Sequence, residues 1–317
     1  MRRKDFSMYL FLLATFSLFG CMESIPDMKT DSIKTDSKFE YLLCMPKNSV
    51  KGLVVLFPSF GNSNQSTLIE TELDEFGDET GFAILIIGFN QSFSLNESKF
   101  KELSGLISRV LENNSIPHNI TMGGLSVGGN IALNYGIFAK KNNIEPIPTH
   151  LFVIDSPVDL FVLYRNQLIA KRANHNPQTF EEAVFIIDYL EYELGKHELT
   201  LNDFKNYSPY LIDAKENNQL EYLRDYKISF YVDPDESWYM ENMGLELNST
   251  NSQQIKSMVH ALSEINKNVR LVNALGKGFK ADGTRHPHSW SILDEKEFYN
   301  WILKKKTDFM ADSEKPE

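Results

Sequence analysis

Short runs of almost entirely apolar residues recur along this chain and alternate with longer stretches that have helical periodicity. The runs predicted as strands are Phe39–Cys44, Gly52–Phe57, Phe82–Ile87, Ile120–Met122, Leu151–Ile154, Ile228–Val232 and Val269–Val272. Most of them are apolar at every position, which is typical of strands that are covered on both faces. The alternation therefore predicts an α/β fold with a mostly parallel central sheet and helices on both of its faces.

The stretches between the strands carry helix signals of several kinds. One apolar face is formed by Phe100, Leu103, Leu106, Ile107, Val110 and Leu111. Residues 179–194 are predicted as a helix, because Thr179 and Glu182 have the spacing of a capping box. The last helix is predicted over residues 294–306, where acidic residues at the start and lysines at the end suit the helix dipole.

The N-terminus has the features of an export signal. Basic residues at positions 2–4 precede an apolar run that ends at Gly20 and is shorter than the roughly 18 to 20 residues that span a bilayer. We expect residues 1–20 to be a signal peptide. Residues 18–21 also resemble the lipobox of bacterial lipoproteins, although Phe19 stands where a small residue is usual. The expectation is a chain lipidated at Cys21 and anchored to a membrane of the bacterial cell envelope on its periplasmic or surface face, with simple secretion as the alternative.

These predictions divide the chain into a short N-terminal anchor and one domain that is large enough to be an enzyme. Polar residues over 21–37 predict a lipidated N-terminus and flexible tether, residues 38–306 the domain, and residues 307–317 a C-terminal tail. The net charge of −11 repels phosphate backbones, so nucleic-acid binding is excluded as a function. With only Cys21 and Cys44 in the sequence, a disulfide framework is excluded too.

A Gly-x-Ser-x-Gly pattern over residues 124–128 follows one predicted strand and precedes a helical pattern. A serine held on a sharp strand-to-helix turn needs almost no side chain two residues away on either side, and Gly124 and Gly128 meet that need. The simpler interpretation is a glycine-rich turn without a chemical role. The position of the pattern between strand and helix favours Ser126 as a nucleophile.

With this motif, residues 38–306 resemble the α/β-hydrolase superfamily, and its serine esterases in particular. The resemblance implies a helical cap over about residues 157–227, inserted between the strands that the family counts as its sixth and seventh core strands, here Leu151–Ile154 and Ile228–Val232. It also implies that an acid follows Ser126 along the chain, after a late strand. Asp235 is the preferred candidate, because the turn at Pro234 carries it further from the strand than Asp233, which is the alternative together with Glu236.

The resemblance places the triad histidine in the loop before the last helix, where the chain offers His288 and His286. His288 is preferred, since the sequence His-Ser-Trp resembles the histidine segment of esterase-like members. The pair could also suggest a metal, but no cysteine or glutamate ligands occur at a familiar spacing, so no metal is predicted. No phosphate loop or dinucleotide-binding signature occurs either, and no cofactor is implied.

Two backbone N–H groups are expected to form an oxyanion hole. One belongs to Val127, the residue after the nucleophile. The resemblance implies that the other belongs to Phe60, or to Gly61 if the register differs by one, in a loop that could also be a plain turn. The cap is rich in aromatic residues, which could bind an acyl chain or simply attach the helices to the sheet.

The predicted function is that of a serine hydrolase, which cleaves a carboxylic ester through an acyl-enzyme intermediate and takes a small-molecule or acyl-ester substrate. A peptidase or amidase could use the same triad. A surface lipoprotein that binds glycan or peptide without catalysis is the alternative from another class, and the chain order of nucleophile, acid and histidine argues against it.

Overall fold

The computed structural model describes residues 34–36, 39–71, 73–89 and 92–303. The predicted signal peptide, Cys21, most of the predicted tether and the predicted C-terminal tail lie outside these residues. The strands are β1 (Lys34–Asp36), β2 (Phe39–Cys44), β3 (Gly52–Phe57), β4 (Phe82–Ile87), β5 (Ile120–Leu125), β6 (His150–Ile154), β7 (Lys227–Val232) and β8 (Val269–Asn273).

Helices connect most of these strands. They are α1 (Asn64–Glu70), α2 (Leu73–Thr80), α3 (Glu97–Asn113), α4 (Val127–Asn142), α5 (Leu160–Ala173), α6 (Pro177–Leu194), α7 (Glu236–Met243), α8 (Asn251–Ser263) and α9 (Glu295–Leu303). Helices α5 and α6, with 3₁₀ turns at Leu201–Phe204 and Asn218–Leu223, lie between β6 and β7. This is the predicted position of the cap.

The strands form one eight-stranded sheet in the order β1-β2-β4-β3-β5-β6-β7-β8. Strand β2 is antiparallel to its neighbours β1 and β4, and every pair from β4–β3 to β7–β8 is parallel. The parallel strands end at one edge of the sheet, so the loops that follow β3, β5, β6, β7 and β8 can meet there. The mostly parallel sheet confirms the predicted fold class.

Hydrophobic cores lie on both faces of the sheet. Along β3, Leu53 and Val55 belong to one core cluster, which includes side chains of α3, α4 and α8. Val54 and Leu56 belong to the other cluster, which includes side chains of α9. All six residues of β3 are buried, which is why its sequence has no polar alternation.

Some local predictions need correction. Strand β1 lies inside the segment predicted as a tether, where it pairs with β2. Helix α6 does not begin with a capping box at Thr179, because Asn176 is the N-cap and its side chain accepts a hydrogen bond from the Thr179 N–H. Glu182 is thereby free of a capping role. Within the described residues, no helix is long and apolar enough to cross a bilayer.

Candidate active site

The turn from β5 to α4 has the geometry of a nucleophile elbow. Ser126 lies at this turn with φ 57° and ψ −128°, a positive-φ conformation that is uncommon for a residue with a side chain. A Cβ at Gly124 or Gly128 would lie 2.3 or 2.1 Å from the Phe57 carbonyl oxygen, so only glycine lets this turn pack against the end of β3. The sharp turn predicted at Ser126 is present, and its side chain is partly exposed.

The loop that follows β3 lies beside this elbow. A Cβ on Gly128 would also come within 2.9 Å of the Pro58 carbonyl oxygen, so loop and elbow are in direct contact. Val127 is the first residue of α4, and its N–H is one of those that an α-helix leaves without an intrahelical acceptor. Gly61 is exposed and has φ 82°. The roles of these N–H groups remain predictions.

Asp155 follows β6, the strand beside β5 in the sheet. Leu125 is paired with Ile154, so the residues that come next, Ser126 and Asp155, leave neighbouring strands at the same edge. Asp155 is 1% exposed. Its Oδ2 lies 2.7 Å from His288 Nδ1 and accepts a hydrogen bond of 3.4 Å from the Tyr239 hydroxyl.

The hydrogen bond to Asp155 determines which nitrogen of His288 can act as a base. When Nδ1–H donates to the carboxylate, the lone pair of the neutral ring is on Nε2. Burial alone would lower the pKa of His288, but the hydrogen bond and charge of Asp155, together with the negative charge of Glu182, raise it above its ordinary value of 6.5. The ring is thus oriented and made more basic by the carboxylate.

The alternative histidine has a different environment. Burial, and the positive charge of His288 when that ring is protonated, lower the pKa of His286 to about 4. Its ring packs edge-on against Trp238 with centroids 4.8 Å apart, and its Nδ1 accepts a 3.2 Å hydrogen bond from the His288 N–H. His286 therefore supports the backbone of His288, and no carboxylate contact of its own is found among the described residues.

The predicted triad acids are engaged elsewhere, which corrects the prediction. Asp233 is fully buried and accepts hydrogen bonds from the N–H groups of Gly276, at 3.0 Å, and Gly278, at 2.8 Å. Asp233 also forms a 2.9 Å ion pair with Arg285. These contacts hold the loop between β8 and α9 that carries His288, which is called the histidine loop below. Asp233 thus takes part in positioning His288 without touching its ring.

Asp235, the preferred candidate, also binds Arg285, at 2.8 Å. Its other carboxylate oxygen caps α7 by accepting a 3.0 Å hydrogen bond from the Trp238 N–H. Glu236, the remaining candidate, is the first residue of α7. The carboxylate on the His288 ring is Asp155, which directly follows a predicted strand just as Asp233 does. Considering every acidic residue at a strand end would have included it.

An aromatic cluster joins the cap to the loop after β3. The ring of Phe60 stacks on Phe93 with centroids 4.5 Å apart, and lies 5.6 Å from Phe185 and 5.1 Å from Tyr189 of α6. Glu193, also on α6, accepts a 3.2 Å hydrogen bond from the Phe93 N–H. Helix α6 thus covers the loop that contacts the elbow. Among the described residues, no cluster of potential ligands has the composition of a metal site.

No protein-family profile and no curated protein matches this sequence. Solved structures do match. Carboxyl esterase 2 from the fungus Tuber melanosporum has a TM-score of 0.58 and 13% identity, over 93% of this chain and 97% of that one. An arylesterase has a TM-score of 0.54 and 13% identity, over 94% and 91%. A fluorophosphonate-binding serine hydrolase from Staphylococcus aureus has a TM-score of 0.51 and 9% identity, over 84% and 92%.

These identities are low enough that the likeness concerns architecture only. That architecture is the mostly parallel sheet with its connecting helices. The chain therefore has the α/β-hydrolase fold.

Proposed function

We propose that this protein is a serine hydrolase that cleaves a carboxylic ester through an acyl-enzyme intermediate. Ser126 is the nucleophile, His288 the general base and Asp155 the acid that orients the ring. The observation that carries the proposal is the 2.7 Å contact between His288 Nδ1 and Asp155 Oδ2, next to the strand that presents Ser126.

The reaction begins with the Ser126 hydroxyl, which is a weak nucleophile while it keeps its proton. His288 Nε2 takes this proton as the serine oxygen attacks the ester carbonyl carbon, and the carbonyl oxygen gains the negative charge. The N–H of Val127 and that of Phe60 or Gly61 are the donors proposed to stabilise this oxyanion. Collapse of the tetrahedral intermediate expels the alcohol, which receives the proton from His288.

Water completes the cycle by the same chemistry. His288 removes a proton from the water molecule that attacks the acyl-enzyme, and returns it to Ser126 as the carboxylic acid leaves. Asp155 stabilises the imidazolium in both steps, because its negative charge lies on the far side of the ring in a buried position. No redox partner or cofactor is needed for atoms and charges to balance.

An ester is proposed as the substrate in preference to an amide because proteins of similar fold carry esterase names, a carboxyl esterase and an arylesterase among them. The similar serine hydrolase that binds fluorophosphonate supports a nucleophilic serine as the reacting group.

The test is labelling with a fluorophosphonate probe, which forms a covalent bond with an activated serine. We expect the parent protein to label and Ser126→Ala to lose labelling together with at least 10³-fold of its turnover of a p-nitrophenyl ester. Ser156→Ala is the matched control, because this neighbouring hydroxyl donates to the Ile154 carbonyl and should leave labelling unchanged. Equal labelling of the parent and Ser126→Ala would contradict the proposal. Labelling with turnover of peptide anilides alone would favour the peptidase.

A further inference from the structure

The carboxylate of Asp155 is buried and is held by few donors. Its Oδ2 accepts hydrogen bonds from His288 Nδ1 and from the Tyr239 hydroxyl, and its Oδ1 has no hydrogen-bond partner among the described residues. A carboxylate that orients an imidazole must itself be held by a group other than that imidazole. Within the described part of the chain, the side chain that meets this need is Tyr239.

The backbone of Asp155 is fixed by separate contacts. Its N–H donates to the Tyr231 carbonyl at 2.9 Å, and its carbonyl accepts a 2.9 Å hydrogen bond from the Asn251 side chain. Its φ of 36° lies in a region that residues with a side chain seldom occupy. These contacts determine where the Cβ of Asp155 lies. Rotation of the carboxylate about the side-chain bonds is limited by the donors on its oxygen.

Tyr239 is held in place as part of α7. Its side chain is buried, and the ring of Trp238 packs edge-on against it with centroids 5.5 Å apart. Asp235 caps the first turn of the helix, and the Asn176 side chain donates to the Asn242 carbonyl in its last turn, at 3.1 Å. Because α7 is bound at both ends, it presents the Tyr239 hydroxyl to Asp155 from a fixed position.

The Tyr239 hydroxyl acts as a donor toward this carboxylate. Burial, and then the negative charges of Asp155 and Asp233, raise the pKa of Tyr239 well above its ordinary value of 10, so the phenol keeps its proton. Its hydrogen bond of 3.4 Å is long, whereas the contact with His288 is 2.7 Å. The hydroxyl can therefore restrain the carboxylate while most of the charge of Asp155 still acts on the imidazole.

We propose that Tyr239 is a positioning residue of this site: its hydroxyl restrains the Asp155 carboxylate, and the restrained carboxylate orients His288. This inference rests on the proposed function and adds a residue to it. Since Tyr239 is buried and acts through Asp155, it should affect the proton transfers and leave binding of the ester unchanged. Acylation and deacylation both use His288, so the two steps should slow together.

The test is Tyr239→Phe, which removes the hydroxyl and keeps the ring. We expect kcat for a p-nitrophenyl ester to fall about tenfold, with KM within about twofold of the parent. Replacing Tyr239 with p-aminophenylalanine keeps a donor at the end of the ring and should keep kcat within about threefold. Tyr299→Phe is the matched control, because it removes another buried hydroxyl, which donates to the Leu73 carbonyl at 2.6 Å, and should leave kcat unchanged.

A double-mutant cycle shows whether Tyr239 acts through Asp155. In the Asp155→Asn background, Tyr239→Phe should lower kcat by less than about twofold, since asparagine lacks the charge that the hydroxyl holds in place. A residue that only supports the fold would cause the same loss in both backgrounds. Urea denaturation checks that each variant is folded.

Three results would overturn the inference and leave the serine hydrolase intact. They are an unchanged kcat in folded Tyr239→Phe, an equal loss in the parent and Asp155→Asn backgrounds, and a p-aminophenylalanine variant that is folded but as slow as Tyr239→Phe. A parent that neither labels with fluorophosphonate nor cleaves the ester would overturn the proposed function itself.

Discussion

Two turns at the same edge of the sheet carry buried carboxylates, and they differ in what those carboxylates bind. The turn after β6 presents Asp155 to the ring of His288. The turn after β7 presents Asp233 to backbone N–H groups and, with Asp235, to Arg285. Both turns begin with an aspartate directly after an apolar strand, so the position at a strand end does not determine the role. The partner that reaches the carboxylate determines it.

Arg285 is the partner that separates the two turns. Its guanidinium is always charged, and it donates to Asp233, to Asp235 and to the Gly278 carbonyl. The charge of the β7 turn is therefore used to hold the histidine loop. No ion pair with a lysine or arginine is found for Asp155 among the described residues, so its charge acts on the imidazole.

The largest expected effect comes from exchanging one carboxylate for an amide in each turn. Asp155→Asn should lower kcat/KM for an ester by at least 10³-fold, because the amide no longer stabilises the imidazolium or selects the Nδ1–H tautomer. Asp235→Asn should lower it less than threefold, since asparagine also caps helices well and Asp233 still binds Arg285. Steady-state kinetics with both variants checks this. A severe loss in Asp235→Asn with little loss in Asp155→Asn would reverse the comparison.

The next effect concerns stability. Asp233→Asn should lower the free energy of unfolding by about 3 kcal/mol, because it leaves Arg285 short of a buried partner and sets an amide against N–H donors. Urea denaturation followed by tryptophan fluorescence measures the change. We expect kcat to fall as well, because Gly276 and Gly278 lose an acceptor that holds the loop before His288. A variant as stable as the parent would mean that the loop is held by other contacts.

The smallest effect is on the pH profile. The base must be neutral to accept a proton, and its pKa is raised, so kcat/KM should fall as the pH decreases through a midpoint above 6.5. Glu182→Gln should move this midpoint to lower pH by less than one unit, because it removes a negative charge that raises the pKa of His288. Asp235→Asn should leave it in place. A parent midpoint well below 6.5 would contradict the coupling of His288 to Asp155.

Much of the fold could be predicted from the sequence, because buried parallel strands are apolar throughout and glycine has few substitutes at a tight elbow. The predicted strand at Ile120–Met122 is longer in the structure and continues to Leu125, since Gly123 and Gly124 still pair with β6. Strand β1 was not predicted. Its residues Lys34–Asp36 are polar and give no strand pattern. They form a strand by pairing with β2 at the edge of the sheet.

The acid could not be chosen from the sequence because the choice depends on contacts between distant residues. Arg285 lies 50 positions beyond Asp235, and no local pattern relates them. The capping prediction at Thr179 failed because another residue competes with Thr179 for the N-cap position. Asn176 offers a better N-cap just before Pro177, a residue favoured in the first turn, and the helix begins there. With this earlier start Glu182 lies beyond the first turn of α6, where it has no capping role.

The pairing of Leu125 with Ile154 has a consequence for how activity would be lost. Ser126 and Asp155, the proposed nucleophile and acid, leave adjacent strands, so their spacing is set by the pairing of β5 with β6 and persists as long as the sheet does. His288 instead arrives on the loop between β8 and α9, which is held by polar contacts with Asp233 and Arg285 and by the buried Trp290. Substitutions in this loop should therefore move the imidazole while the spacing of Ser126 and Asp155 stays as the sheet sets it.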